Sequence, residues 1–158
     1  GIFKFMKVVN KYTKANGYSM SLFGRRRNLP NVNSPITKYQ YRALRQGLNF
    51  VIQSSTSDMV LNSLLNMQKK IKELGMEDVE ILATVHDSIE VQCDKENTEV
   101  VAKLIKDVME DISYLKTKYN MDFKVPMKVD VEVGDSFGSV EEVHFDSNRQ
   151  PTNVADLI

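Results

Sequence analysis

Apolar residues recur at helical spacing over residues 2–15, where Ile2, Phe5, Met6, Val9 and Tyr12 fall on one side. Asn16-Gly17 then supplies a helix stop. Tyr18–Phe23 reads as a short strand, Gly24-Arg25-Arg26-Arg27 as a turn leading to Asn28–Pro30, and residues 31–35 as a loop closed by Pro35. Residues 38–74 form a long helical region ended by Gly75, with Leu44, Leu48, Val51, Met59, Leu61, Leu64, Leu65 and Ile71 as its expected buried stripe. A bend or break is expected at Ser54-Ser55-Thr56-Ser57. In Ile81–Cys93, ILATVHDSIEVQC, two apolar strands flank a polar break at His86-Asp87-Ser88, which predicts a hairpin over residues 79–93. An amphipathic helix follows over 98–114, with a short continuation ended by Asn120. Residues 123–133, FKVPMKVDVEV, alternate as a strand with one buried face, and Pro126 places its start near a sheet edge. From Gly134 the chain is polar, and Ser147–Asn153 is expected to be loose. The fold class is α+β: a small antiparallel sheet holding the 81–93 hairpin and the 123–133 strand, with helices 38–74 and 98–114 on one face.

Charge changes this picture more than composition does. The formal net charge is zero, yet residues 1–57 hold 10 Lys or Arg and no Asp or Glu, whereas residues 58–158 hold 11 Lys or Arg and 21 Asp or Glu. A basic block of that kind suits contact with phosphates; it also suits packing against the acidic remainder. The 158 residues are one domain's worth of chain. The single cysteine, Cys93, excludes an intrachain disulfide framework and a cysteine-based zinc cluster. No apolar run reaches transmembrane length and no signal-peptide pattern opens the chain, so the expectation is a cytoplasmic protein without a membrane partner. A start at Gly1 points to a processed product, a cloning scar or a fragment.

Two groups of side chains carry candidate chemistry. Asp87 stands at the tip of the predicted hairpin beside His86. A carboxylate held on a rigid element is a common component of a hard-cation site, but one carboxylate cannot hold such a site alone. Arg42, Arg45, Asn49 and Gln53 follow one another at intervals of 3, 4 and 4, so they line up on one helix face.

Tyr18–Pro30 with the preceding glycine (GYSMSLFGRRRNLP), then Arg45–Gln53 (RQGLNFVIQ), then Val85-His86-Asp87, resemble in order the C-terminal part of family A DNA polymerases, the bacterial polymerase I type. Val125–Gly138 resembles that family's last palm strand and its exit. The Ser-rich stretch before Asp58 is more like a phage or divergent branch. The resemblance covers residues 1–138, implies a partial palm domain, and leaves 139–158 as a polar tail. It further implies template-directed addition of deoxynucleotides to a primer end, with primer–template DNA and a dNTP as partners and two Mg2+ ions as cofactor. Asp87 matches the family's C-terminal catalytic, metal-binding aspartate, and His86 the histidine beside it, in a positioning role. Arg45, Asn49 and Gln53 match the helix that lies against the primer–template duplex, and Arg42 extends that face. Side chains of this kind can reach minor-groove acceptors that every base pair presents, which suits an enzyme that must accept all four bases. Arg25 and Arg26 match a characteristic Gly-Arg-Arg, with phosphate contact and pairing to palm acids as equal alternatives.

Ser88 departs from the family, whose members commonly carry Glu after the aspartate. Glu90 falls on the same strand face as Ser88 and could replace part of that charge, or be an ordinary solvent-facing acid. The family's first palm strand, with its other aspartate, and its triphosphate-binding fingers helix are not found. The isolated chain is therefore expected to be inactive and to need an upstream fingers and palm polypeptide. A non-catalytic nucleic-acid-binding or assembly module with a polymerase-like fold is the alternative.

Overall fold

The computed structural model describes residues 1–158. They form two units, Gly1–Met59 and Val60–Ile158, whose boundary falls inside one long helix.

In the first unit, α1 (Ile2–Asn16) ends at Gly17, whose φ of 76° and N–H to Thr13 O close the helix. Glycine takes this left-handed conformation without the Cβ penalty. Strands β1 (Tyr18–Met20) and β2 (Arg26–Asn28) pair antiparallel, and a 3-10 turn at Pro30–Asn33 leads into α2 (Thr37–Leu74). Leu29, Val32, Ala43 and Leu44 make the apolar core. Beside it, the Thr13 hydroxyl donates to Val9 O at 2.8 Å, so it must accept from Ser19 Oγ, also at 2.8 Å. A Cβ on Gly47 would lie 2.6 Å from Ser19 Oγ and 2.9 Å from Leu29 Cδ1. The lack of a side chain there lets α2 pass this close to β1.

The break expected at Ser54–Ser57 does not occur. Ser55 Oγ donates to Val51 O at 2.6 Å and Thr56 Oγ1 to Ile52 O at 3.3 Å. Bonding back four residues keeps these hydroxyls compatible with the helix. The expected apolar stripe is also corrected in the distal half of α2. Burial there falls on Val60, Ser63 and Met67, while Leu61 and Leu65 stay 46% and 61% exposed. The inward side is rotated from the one that leucine content alone selects.

The second unit contains the hairpin β3 (Glu80–Val85) and β4 (Ser88–Gln92), a 3-10 turn at Lys95–Asn97, and the helices α3 (Thr98–Glu110) and α4 (Ser113–Tyr119). α3 stops at Glu110, short of the expected 114, and Asn120 at φ 53° ends α4. Beyond it come β5 (Glu132–Val133), β6 (Glu141–Glu142) and α5 (Val154–Leu157). The fold is α+β, with small antiparallel sheets accompanied by helices. The expected single sheet is instead three separate two-stranded sheets.

Of the expected strand 123–133, only Glu132–Val133 is strand, paired with Glu141–Glu142. No strand pairs with its earlier part. The backbone of Val129 is met by side chains instead, its N–H by Glu110 Oε1 at 3.0 Å and its carbonyl by Lys106 Nζ at 2.6 Å. The tail is not loose. Val143 and Val154 join Ala102 and Val131 in a buried cluster, and Phe145 pairs with Pro151 across a turn. Asp146 Oδ1 accepts the N–H groups of Asn148 and Gln150, both at 2.8 Å. Arg149 reaches Asp107 at 2.9 Å and Glu110 at 2.8 Å on α3. No helix is long and apolar enough to cross a membrane.

Candidate catalytic turn and nucleic-acid interface

The pairing of Val85 with Ser88 leaves a two-residue turn made of His86 and Asp87. Such tight turns need a positive φ, and His86 takes it at 56°. Both side chains are exposed at the tip. The hairpin is not fully regular: its register shifts between Ile81 and Ala83, a bulge at Leu82 that adds local twist.

Ser88 Oγ lies 2.6 Å from Glu90 Oε1 and 3.1 Å from Val85 O. The hydroxyl has one proton, and the shorter, charge-assisted contact to the carboxylate is the stronger. The strand period thus places a carboxylate beside Ser88, two residues along from where the family commonly carries one. Asp87 nevertheless stands as a single turn carboxylate, and no group of three or more His, Cys, Asp or Glu side chains converges anywhere in the chain. The residues present do not by themselves fit a magnesium centre.

Arg42, Arg45, Asn49 and Gln53 are all exposed on α2, on the side away from buried Ala43, Leu44 and Gly47. The close approach at Gly47 therefore seats this helix with its polar face outward. No acid within residues 1–57 neutralises the face.

The three arginines of the turn region have three different surroundings. Arg25 Nη2 binds Asp58 Oδ1 at 2.6 Å, and Asp58 is 7% exposed. The hydrogen bond that Arg25 donates to Asp58, then the charge of that carboxylate, holds the Arg25 guanidinium above its ordinary pKa. Of the two roles open to Arg25, pairing with an acid is the one formed within the chain. The same turn is tied to α2 a second time, by Leu22 N–H to Ser55 Oγ at 2.9 Å. Arg26 lies over the Tyr18 ring, 4.9 Å from its centroid, a cation–π arrangement that leaves the guanidinium edge free. Arg27 is exposed. Pattern alone did not single out Asp58 or Ser55 as partners of the turn. The available signal was that Asp58 is the first acid after ten basic residues.

A model of DNA polymerase family A matches residues 1–139. Among curated relatives, a DNA polymerase of Bacillus phage SP01 is 32% identical over 139 residues, covering 88% of this chain and 15% of that protein. The thermostable DNA polymerase I of Thermus aquaticus is 30% identical over 129 residues, covering 82% of this chain and 14% of the relative. DNA polymerase theta of Drosophila melanogaster is 31% identical over 143 residues, 6% of its length. The POL domain of Pol1 from M. smegmatis, solved in complex with DNA primer-template and dNTP, shares the fold with a TM-score of 0.68 at 24% identity, over 80% of this chain and 21% of that one. The chain thus spans a small part of each of these relatives, and its residues 1–139 belong to DNA polymerase family A.

Proposed function

We propose that the chain is the C-terminal palm portion of a template-directed DNA polymerase that transfers deoxynucleotides from a dNTP to a primer 3′ end. The observation that carries this reading is Asp87 at the exposed tip of a tight hairpin, within a chain matched to the polymerase family over residues 1–139. Asp87 contributes one carboxylate to a magnesium site whose remaining ligands come from an upstream fingers and palm region. His86, beside it, orients the primer end. Arg45, Asn49 and Gln53, extended by Arg42, contact the duplex, because donors on one exposed helix face can follow a minor groove whose acceptors every base pair shares. Arg26 adds phosphate contact, and Arg25 supports the turn through Asp58.

Primer extension tests this directly. The isolated chain is expected to add no nucleotide, and the chain joined to the upstream polymerase region to add nucleotides with Mg2+ present. Extension by the isolated chain overturns the division of labour. Ser88 and the single turn carboxylate favour a second reading, a non-catalytic nucleic-acid-binding or assembly module. That reading gains if the joined protein binds primer–template duplex but extends nothing.

A further inference from the structure

Lys4, Lys7, Lys11 and Lys14 occur at intervals of 3, 4 and 3 along α1, and all four are exposed. At 3.6 residues per turn they fall within a quarter of the helix circumference, opposite the side where Val9 and Thr13 turn inward. The arrangement is unfavourable for the helix itself. Each consecutive pair places like charges one turn apart, which destabilises a helix. Residues 1–57 contain no Asp or Glu, and Asp58 is bound by Arg25. An uncompensated row of four lysines is stabilised when an extended anion lies along it. The row spans about 15 Å, which corresponds to roughly four phosphates along one strand of a duplex.

We infer that the lysine row of α1 is a second contact surface for the phosphate backbone of duplex DNA, separate from the α2 face and indifferent to sequence. This rests on the proposed polymerase role for the choice of duplex DNA as the anion. The α2 side chains address groove edges; the lysines supply charge alone, so their contribution appears in counterion release.

The experiment is a titration of the full 158-residue chain with two duplexes of unrelated sequence over a range of salt. Replacing all four lysines (Lys4→Gln, Lys7→Gln, Lys11→Gln, Lys14→Gln) is expected to reduce the slope of log affinity against log salt by about 3–4, at roughly 0.9 per lost contact, equally for both duplexes. Arginine at the same four positions is expected to restore the slope. If the quadruple variant does not fold, the pairs Lys4→Gln/Lys7→Gln and Lys11→Gln/Lys14→Gln should each remove about 2. An unchanged slope overturns the inference. So does a loss of binding to phosphatidylglycerol vesicles with duplex binding intact, which assigns the row to a lipid surface. An Arg45→Ala/Asn49→Ala variant run alongside separates the two claims. If it binds duplex normally while the lysine variant does not, the α2 reading fails and the lysine row stands.

Discussion

Single residues decide how closely the first unit packs. Gly47 faces Ser19, which is 0% exposed and hydrogen-bonded to a 1% exposed Thr13. Gly47→Ala improves helix propensity, but its methyl would have to displace a buried hydroxyl and Leu29. The steric term outweighs the propensity gain, and a net loss of roughly 1–3 kcal/mol is expected in chemical denaturation. Adding Ser19→Ala removes the nearest clash and should restore part of that loss, so the two substitutions should be non-additive. Strict additivity would show that Gly47 does not limit the approach of α2. Alternation and helical spacing placed Asp87 at a turn tip and Arg45, Asn49 and Gln53 on one exposed helix face, because both positions rest on local periodicity. They did not reveal Asp58 or Gly47, whose roles depend on partners 33 and 28 residues away.

Among the elements, hairpins and helices were legible in the sequence because their hydrogen bonds are local. The segment 123–133 was misread because alternation describes a face to bury, and a strand also needs a neighbour to pair with. Its pairing is limited to residues close to the tail, including Val143 N–H to Val131 O at 2.8 Å. The tail was misread because polar composition hid its anchors: Val143, Val154 and the Arg149 ion pairs. Burial acts to raise the pKa values of Asp107 and Glu110, but hydrogen bonds and cations outweigh it. Lys103 and Arg149 hold Asp107 below the ordinary carboxylate value, and the Val129 N–H with Lys106 and Arg149 does so for Glu110. A depressed carboxylate contributes stability that is complete above its unfolded pKa and is lost as pH falls through the folded one. The tail should therefore loosen below about pH 4, seen as a fall in the protection of the Val143 amide relative to its intrinsic exchange rate at the same pH. Arg149→Gln should weaken the tail at neutral pH and shrink that acid response. An equal acid response in the variant would show that the Arg149 pairs do not hold the tail.

At the scale of the molecule, the separation of charge along the chain has a structural counterpart. The unit Gly1–Met59 contains all ten early basic residues and one acid, and that acid is occupied by Arg25. The candidate catalytic turn belongs to the other unit. In the proposed role, duplex contact and chemistry fall to different parts of one chain, and they are expected to be separable by substitution. The most direct test is the Asp87→Ala substitution in the chain joined to its upstream polymerase region, with primer extension and duplex affinity measured on the same preparation. The expected result is loss of nucleotide addition by several orders of magnitude, with duplex affinity within about twofold of the parent, since removing a metal-binding carboxylate withdraws transition-state stabilisation and leaves duplex contacts in place. Undiminished extension by the Asp87→Ala protein would contradict the assignment of this turn to catalysis.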